Sequence, residues 1–166
     1  PEAGAIGNHA RLFNYPAHSQ MKTKADIPVL GIKTIFCSDS FAAYNRNTLL
    51  AAGNFLNVSF GEDTLMADKI IHMDYAVYYN KDACVYHSHY LTLREEFKRS
   101  IFIGRLHRQN HTVFDSYGRI SGEGMRFVKS EMYMLISQNQ IKLLPNALFH
   151  NFSKFLGYQL GKSGMY

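Results

Sequence analysis

Residues 60–89 constrain the rest of the chain most. The stretch opens with Phe60-Gly61-Glu62-Asp63-Thr64, a glycine followed by two acids, and closes with Val85-Tyr86-His87-Ser88-His89. Between them Met66, Ile70 and Met73 share one helical face with Ala67 and Ile71 beside it, so a helix opens at the acids. Residues 75–79 and 83–89 then read as two strands joined by the turn Asn80-Lys81-Asp82. The intervening segment is just long enough to bring the acids and the histidines together.

Each end has a plain reading and a chemical one. Negative charge at a helix N-terminus is favoured by the macrodipole, worth about 0.3 to 1 kcal/mol per acid. The same placement is expected to lower a carboxylate's pKa and keep it ionised, as a base must be to take a proton from an attacking hydroxyl. On a regular strand His87 and His89 fall on one face and Cys84 on the other, which argues against a Cys-His-His zinc site. Two histidines on one face suit a divalent metal or a diphosphate, and equally suit a strand end with its polar tips in water.

Elsewhere the pattern is that of a folded α/β chain. Residues 1–33, rich in Gly, Pro, Asn and His, read as loop with a short helix around Ala10. Residues 34–37 suit a buried strand, Ser38-Asp39 interrupts it as a polar pair able to line a pocket, and residues 41–44 resume it. Asn45 or Asn47 caps a helix through Ala52 that Gly53 stops. Thr92-x-x-Glu95 is a capping box for a helix reaching Asn110, with Leu93, Phe97 and Ile101 inward. Met125, Val128, Met132 and Leu135 mark another helix. Beyond Pro145, Leu148, Phe152, Phe155 and Leu156 mark a last one with Lys154 and Lys162 beside it. These two are either core helices or cationic amphipathic helices that dock on an anionic membrane surface.

With 166 residues, 46% of them hydrophobic, the chain can bury a core. Its 18 basic residues outnumber 13 acidic ones, which favours anionic partners. Nucleic acid is not among those expected, because the cations are scattered and no nucleic-acid-binding motif is present. Two cysteines, Cys37 and Cys84, are too few for a disulfide framework and fit a reducing cytosol. No membrane-span-length apolar run, signal peptide, Walker loop, dinucleotide fingerprint or nucleophile elbow occurs. The chain begins at Pro1 rather than Met and reads as part of a longer protein.

Six motifs in order carry a resemblance: Phe36-Cys37-Ser38-Asp39, Ala43-Tyr44-x-Arg46, Ala52-Gly53-x-Phe55, Gly61-Glu62-Asp63 with Leu65, Val85-Tyr86-His87-Ser88-His89, and Glu95-Glu96-Phe97. Together, over about residues 13–161, the chain resembles the C-terminal half of family 2 glycosyltransferases, above all the rhamnosyltransferase-like members that build bacterial surface polysaccharides. The resemblance implies the C-terminal portion of a GT-A fold: a short mixed sheet followed by amphipathic helices, with residues 1–110 as the acceptor-side catalytic half and 111–166 as a helical extension. It implies transfer of a sugar from a nucleoside-diphosphate sugar to an acceptor hydroxyl with inversion. Asp63 then matches the general base, and Glu62 the neighbour that helps hold the acceptor. Ser38 and Asp39 match the acceptor-side lining, and His87 or His89 the contact to metal or donor diphosphate.

The same resemblance implies a divalent metal, Mg or Mn, bound mostly by an N-terminal half whose Asp-x-Asp motif does not occur in this chain. Alone, the chain is expected to be inactive. Implied partners are the nucleotide sugar, a glycan or polyprenyl-diphosphate-linked acceptor and a peripheral contact at the inner membrane face of a cytoplasmic enzyme. Homo-oligomerisation would cover the exposed sheet edge of such a half. Two other classes compete. One is a noncatalytic carbohydrate-binding module stacking sugars on Tyr75, Tyr78, Tyr79 and Tyr86; the other is a metal hydrolase using Asp63, Asp68, His87 and His89.

Overall fold

The computed structural model describes residues 5–86, 91–118 and 121–165. Along the chain run helix α1 (Ala5–Asn14), strand β1 (Gln20–Lys22), the one-turn helix α2 (Ile27–Leu30), α3 (Arg46–Ala51), α4 (Glu62–His72) and strand β2 (Val77–Tyr79). Then follow α5 (Leu93–Gln109), α6 (His111–Asp115), α7 (Ser121–Ser137) and α8 (Leu144–Ser163). The described residues are thus α/β, with a two-stranded antiparallel sheet followed by C-terminal helices. They form two compact units, each built from separate stretches of chain.

One unit takes in His18–His87 and Asn110–Ile120. Its core is Ile35, Ala67, Ile71 and Tyr117, with Ile27, Ile32, Cys37, Val77 and Val113 packed against it. Caps placed by the sequence form as local chemistry requires. The Asn45 side chain accepts from the N–H groups of Asn47 and Thr48, and Gly53 takes the left-handed conformation that ends α3. Lys69 on α4 then donates to the carbonyls of Ala52 and Asn54, joining α4 to the end of α3.

The sheet departs from expectation. β2 pairs not with a following strand but with β1, Gln20 opposite Tyr79 and Lys22 opposite Val77. The turn at Asn80 does form, yet residues 83–86 are not in a strand. Residues 34–37 also differ: the chain winds into a 3₁₀ helix, Gly31–Ile35, instead of a buried strand. A physical reason is visible in Lys22, only 6% exposed. Its ammonium donates to the carbonyls of Phe36 at 2.5 Å and Lys33 at 3.1 Å, so these acceptors bond a side chain rather than a neighbouring strand. Residues 41–44 likewise form no strand; Asp39–Phe41 is another 3₁₀ turn.

The other unit takes in Pro1–Ala17, Ser88–Gln109 and Ser121–Tyr166. The capping box at the start of α5 is present, with Glu95 accepting from both the N–H and hydroxyl of Thr92. α5 and α8 pack main chain against main chain. A Cβ at Gly157 would lie 2.7 Å from the Phe97 carbonyl oxygen, while one at Gly104 or Gly161 would collide with the carbonyl of Tyr158 or Ile101. Around this crossing Glu96 meets His150 at 2.7 Å and Lys154 at 3.3 Å, and His107 meets the Tyr158 hydroxyl at 3.0 Å. α7 joins through Asn151, which donates to the buried Glu131, and α1 through His9 against Ser130. The core reading of Leu148, Phe152, Phe155 and Leu156 does not hold, because α8 buries Ala147, Gly157 and Gly161 and turns those four outward.

Candidate functional site

Asp63 stands in the first turn of α4, where Gly61 at φ 79° swings the chain into the helix. A side chain would strain that left-handed position, which is why the helix starts on glycine. Asp63 Oδ1 accepts from the N–H of Thr64 at 2.7 Å and from its hydroxyl at 3.3 Å. That anchors one carboxylate oxygen and turns the other outward, where Oδ2 accepts from the main-chain N–H of Asp39 at 3.4 Å.

Asp39 opens the turn Asp39–Phe41, capped by Ser38, whose hydroxyl accepts from the N–H of Ser40 and donates to the Ser40 hydroxyl. The exposed carboxylate of Asp39 accepts from the Tyr44 hydroxyl at 2.5 Å. Tyr44 is itself braced edge-on against Phe55, with ring centroids 5.1 Å apart, and its hydroxyl lies 3.8 Å from the Cys37 sulfur. Asp39, Tyr44 and Asp63 therefore form one hydrogen-bonded cluster, with Ser38 beside it in the turn. Lys22 holds the carbonyls of Lys33 and Phe36 immediately upstream of it.

The electrostatics differ from the sequence expectation. The Asp63 pKa is raised, chiefly by burial, with the charges of Asp39 and Glu62 adding to it. The N–H groups of Thr64 and Asp39 pull the other way and do not win. A helix start was expected to lower it; partial desolvation and two like charges outweigh the dipole. Burial also raises the Cys37 thiol and lowers the Lys22 ammonium, and burial together with Asp39 raises the Tyr44 phenol. A half-buried carboxylate with a raised pKa is a stronger proton acceptor than a free one, and an exposed carboxylate beside it can bind hydroxyl donors.

Of the residues singled out from sequence, Ser38, Asp39, Glu62 and Asp63 lie together around the start of α4. His87 and His89 lie outside the described residues. Among the described residues no group of three or more His, Cys, Asp and Glu could hold a metal ion. Asp39 and Asp63 already accept from Tyr44 and Thr64, and by themselves they do not complete a divalent-cation site. The hydrolase reading loses Asp68, which accepts from the Tyr117 hydroxyl at 2.7 Å and meets His72 at 3.2 Å. Tyr75 and Tyr78 are exposed. Sequence reasoning passed over Tyr44 and Lys22; Tyr44 stood within a quoted motif, whereas nothing local to Lys22 signals a buried ammonium.

The chain is homologous to bacterial rhamnosyltransferases over nearly its whole length. It is 45% identical over 162 residues to the O-antigen chain rhamnosyltransferase RfbN of Salmonella typhimurium, and 44% identical over 162 residues to the O-antigen chain rhamnosyltransferase WbaN of Salmonella anatum. Each match covers 97% of this chain and 51% of the relative, so the chain spans about half the length of these relatives. No family model matches the chain, and no solved structure matches it.

Proposed function

We propose that this chain is the acceptor-binding and catalytic-base portion of an inverting family 2 glycosyltransferase with a GT-A fold. In this reading it serves transfer of a sugar, rhamnose first among candidates, from a nucleoside-diphosphate sugar to a glycan or polyprenyl-diphosphate-linked acceptor in bacterial surface polysaccharide synthesis. Homology to two O-antigen chain rhamnosyltransferases supports the class. The observation that carries the site is Asp63, half-buried, raised in pKa and hydrogen-bonded to the backbone of Asp39.

In the reaction, the acceptor hydroxyl is held by Asp39 with Ser38 and Glu62 near it. Its proton passes to Asp63 Oδ2 as its oxygen attacks the anomeric carbon from the side opposite the diphosphate. The new carbon–oxygen bond forms as the bond to the diphosphate breaks, and the electron pair leaves with the diphosphate. Thr64 fixes the other carboxylate oxygen, so Asp63 meets the hydroxyl without reorienting. This proton transfer is worth roughly 10²- to 10⁴-fold in rate. His87 and His89 are the proposed contacts to the departing diphosphate. The divalent cation, Mg or Mn, that would offset charge there is assigned to the donor-binding half of the enzyme.

The test is sugar transfer by the full-length protein with a nucleotide-sugar panel that includes dTDP-rhamnose, wild type against Asp63→Asn at matched folding. Turnover by wild type and loss in the variant with donor binding intact support the reading. A fully active variant removes Asp63 from the catalytic role.

A further inference from the structure

On α8, Leu148, Phe149, Phe152, Phe155 and Leu156 are each between 41 and 57% exposed. At helical spacing they fall within an arc of about 120°, away from the glycines that press on α5. Three exposed phenylalanines on one stripe are costly to leave in water, because apolar surface is favoured away from it. Charge selects what covers them. α8 carries no acidic residue, and Lys142 precedes it while Lys154 and Lys162 lie along it. From Ser121 to Tyr166 five Lys or Arg accompany two acids, one of which, Glu131, is buried on Asn151. The other, Glu123, is paired with Arg126 at 2.6 Å.

We infer that the outer face of α8 docks on an anionic lipid surface, with Phe149, Phe152 and Phe155 entering the headgroup boundary and Lys142 and Lys162 meeting lipid phosphates. An apolar stripe bordered by cations, with no carboxylate on the helix, binds such a surface through buried apolar area plus attraction to anionic lipid. Among the described residues no helix is long and apolar enough to cross a membrane, so the contact is along the surface. This docking holds whatever reaction the chain takes part in.

The experiment is co-flotation of the full-length protein with vesicles of phosphatidylcholine alone, or with about a third phosphatidylglycerol. The wild type is expected to bind the anionic vesicles at least roughly tenfold more tightly. Phe152→Glu with Phe155→Glu abolishes binding at unchanged helical circular dichroism, and Lys142→Gln with Lys162→Gln weakens it roughly tenfold and only on anionic vesicles. Equal binding to both vesicles, or to neither, overturns the inference, as does full binding by the double-Glu variant. Two further outcomes also overturn it by naming another occupant. A lipid-free dimer that the double-Glu variant splits would mean a second copy covers the face. Slow hydrogen exchange over residues 148–156 in lipid-free full-length monomer would mean the rest of the protein does.

Discussion

The main-chain N–H of Asp39 donates to the carboxylate of Asp63 across 3.4 Å, joining two acids 24 positions apart in sequence. Neither belongs to the hydrophobic core, and their closeness sets the chemistry of the start of α4. Burial first, and then the charge of Asp39, raises the cost of ionising Asp63.

That cost makes opposite predictions for a catalytic acid and a helix cap. The folded pKa of Asp63 is raised above its ordinary value of 3.8. The stabilising contribution is therefore complete below that value and lost as pH rises through the folded pKa. Asp63→Asn, which carries no charge, should melt at or above the wild-type temperature at pH 7, with the gap closing towards pH 3. Sugar transfer by the full-length variant should fall by roughly 10²- to 10⁴-fold. A lower melting temperature with intact transfer would mark Asp63 as a cap instead.

Tyr44 orients Asp39 through its hydroxyl while its ring rests on Phe55. Tyr44→Phe keeps the ring and removes the donor, a loss of about 1.5 kcal/mol for a hydrogen bond to a charged group. The expected result is a roughly tenfold rise in KM for the acceptor with kcat little changed. Steady-state kinetics on the full-length protein decide it, and an unchanged acceptor KM takes Asp39 off the acceptor side.

The α5–α8 crossing leaves no room for a methyl group. Gly161→Ala should destabilise the protein by about 3 kcal/mol, because the added carbon meets the Ile101 carbonyl, which is main chain and cannot swing aside. Gly124→Ala on α7, where nothing lies within 4 Å, should instead stabilise by about 0.4–1 kcal/mol. Urea denaturation of the pair measures both, and equal midpoints would refute the close packing.

His107 is held neutral. Burial, with Lys162 nearby, pushes its pKa down to about 4. A depressed histidine contributes stability that is present above its ordinary value of 6.5 and lost as pH falls through the folded value. Melting temperature should therefore decline from pH 6.5 to pH 4, and His107→Gln should flatten that decline. A variant with the wild-type slope would show that other groups drive the acid sensitivity.

Legibility in the sequence followed range. The Asn45 cap, the Thr92–Glu95 box and the glycine that opens α4 were readable because each is settled within four residues of chain. The pairing of Lys22 with Val77 was not, since three-residue strands carry almost no period and the partner lies far along the chain. Residues 34–37 looked like a strand because their apolar run fits one; only the Lys22 ammonium, contributed from elsewhere, shows why they wind up instead. At the site, the residue types around Asp63 could be read, but the direction of its pKa could not. Charge at a helix start is local, whereas the burial that overrides it depends on everything packed nearby. The α5–α8 crossing was present as Ser100-x-x-x-Gly104 and Gly157-x-x-x-Gly161, two small-residue spacings that signal close helix approach and went unused.

The bond between His9 and Ser130 spans 121 positions, and it bears on how the protein is made. At a synthesis rate of about 5–20 residues per second, α1 waits roughly 6 to 24 s for the partner helix α7 to be polymerised. During that interval Phe13 has no Phe127 to pack against, although the two rings end 5.2 Å apart. The unit that contains α1 therefore closes only once the last third of the chain has left the ribosome.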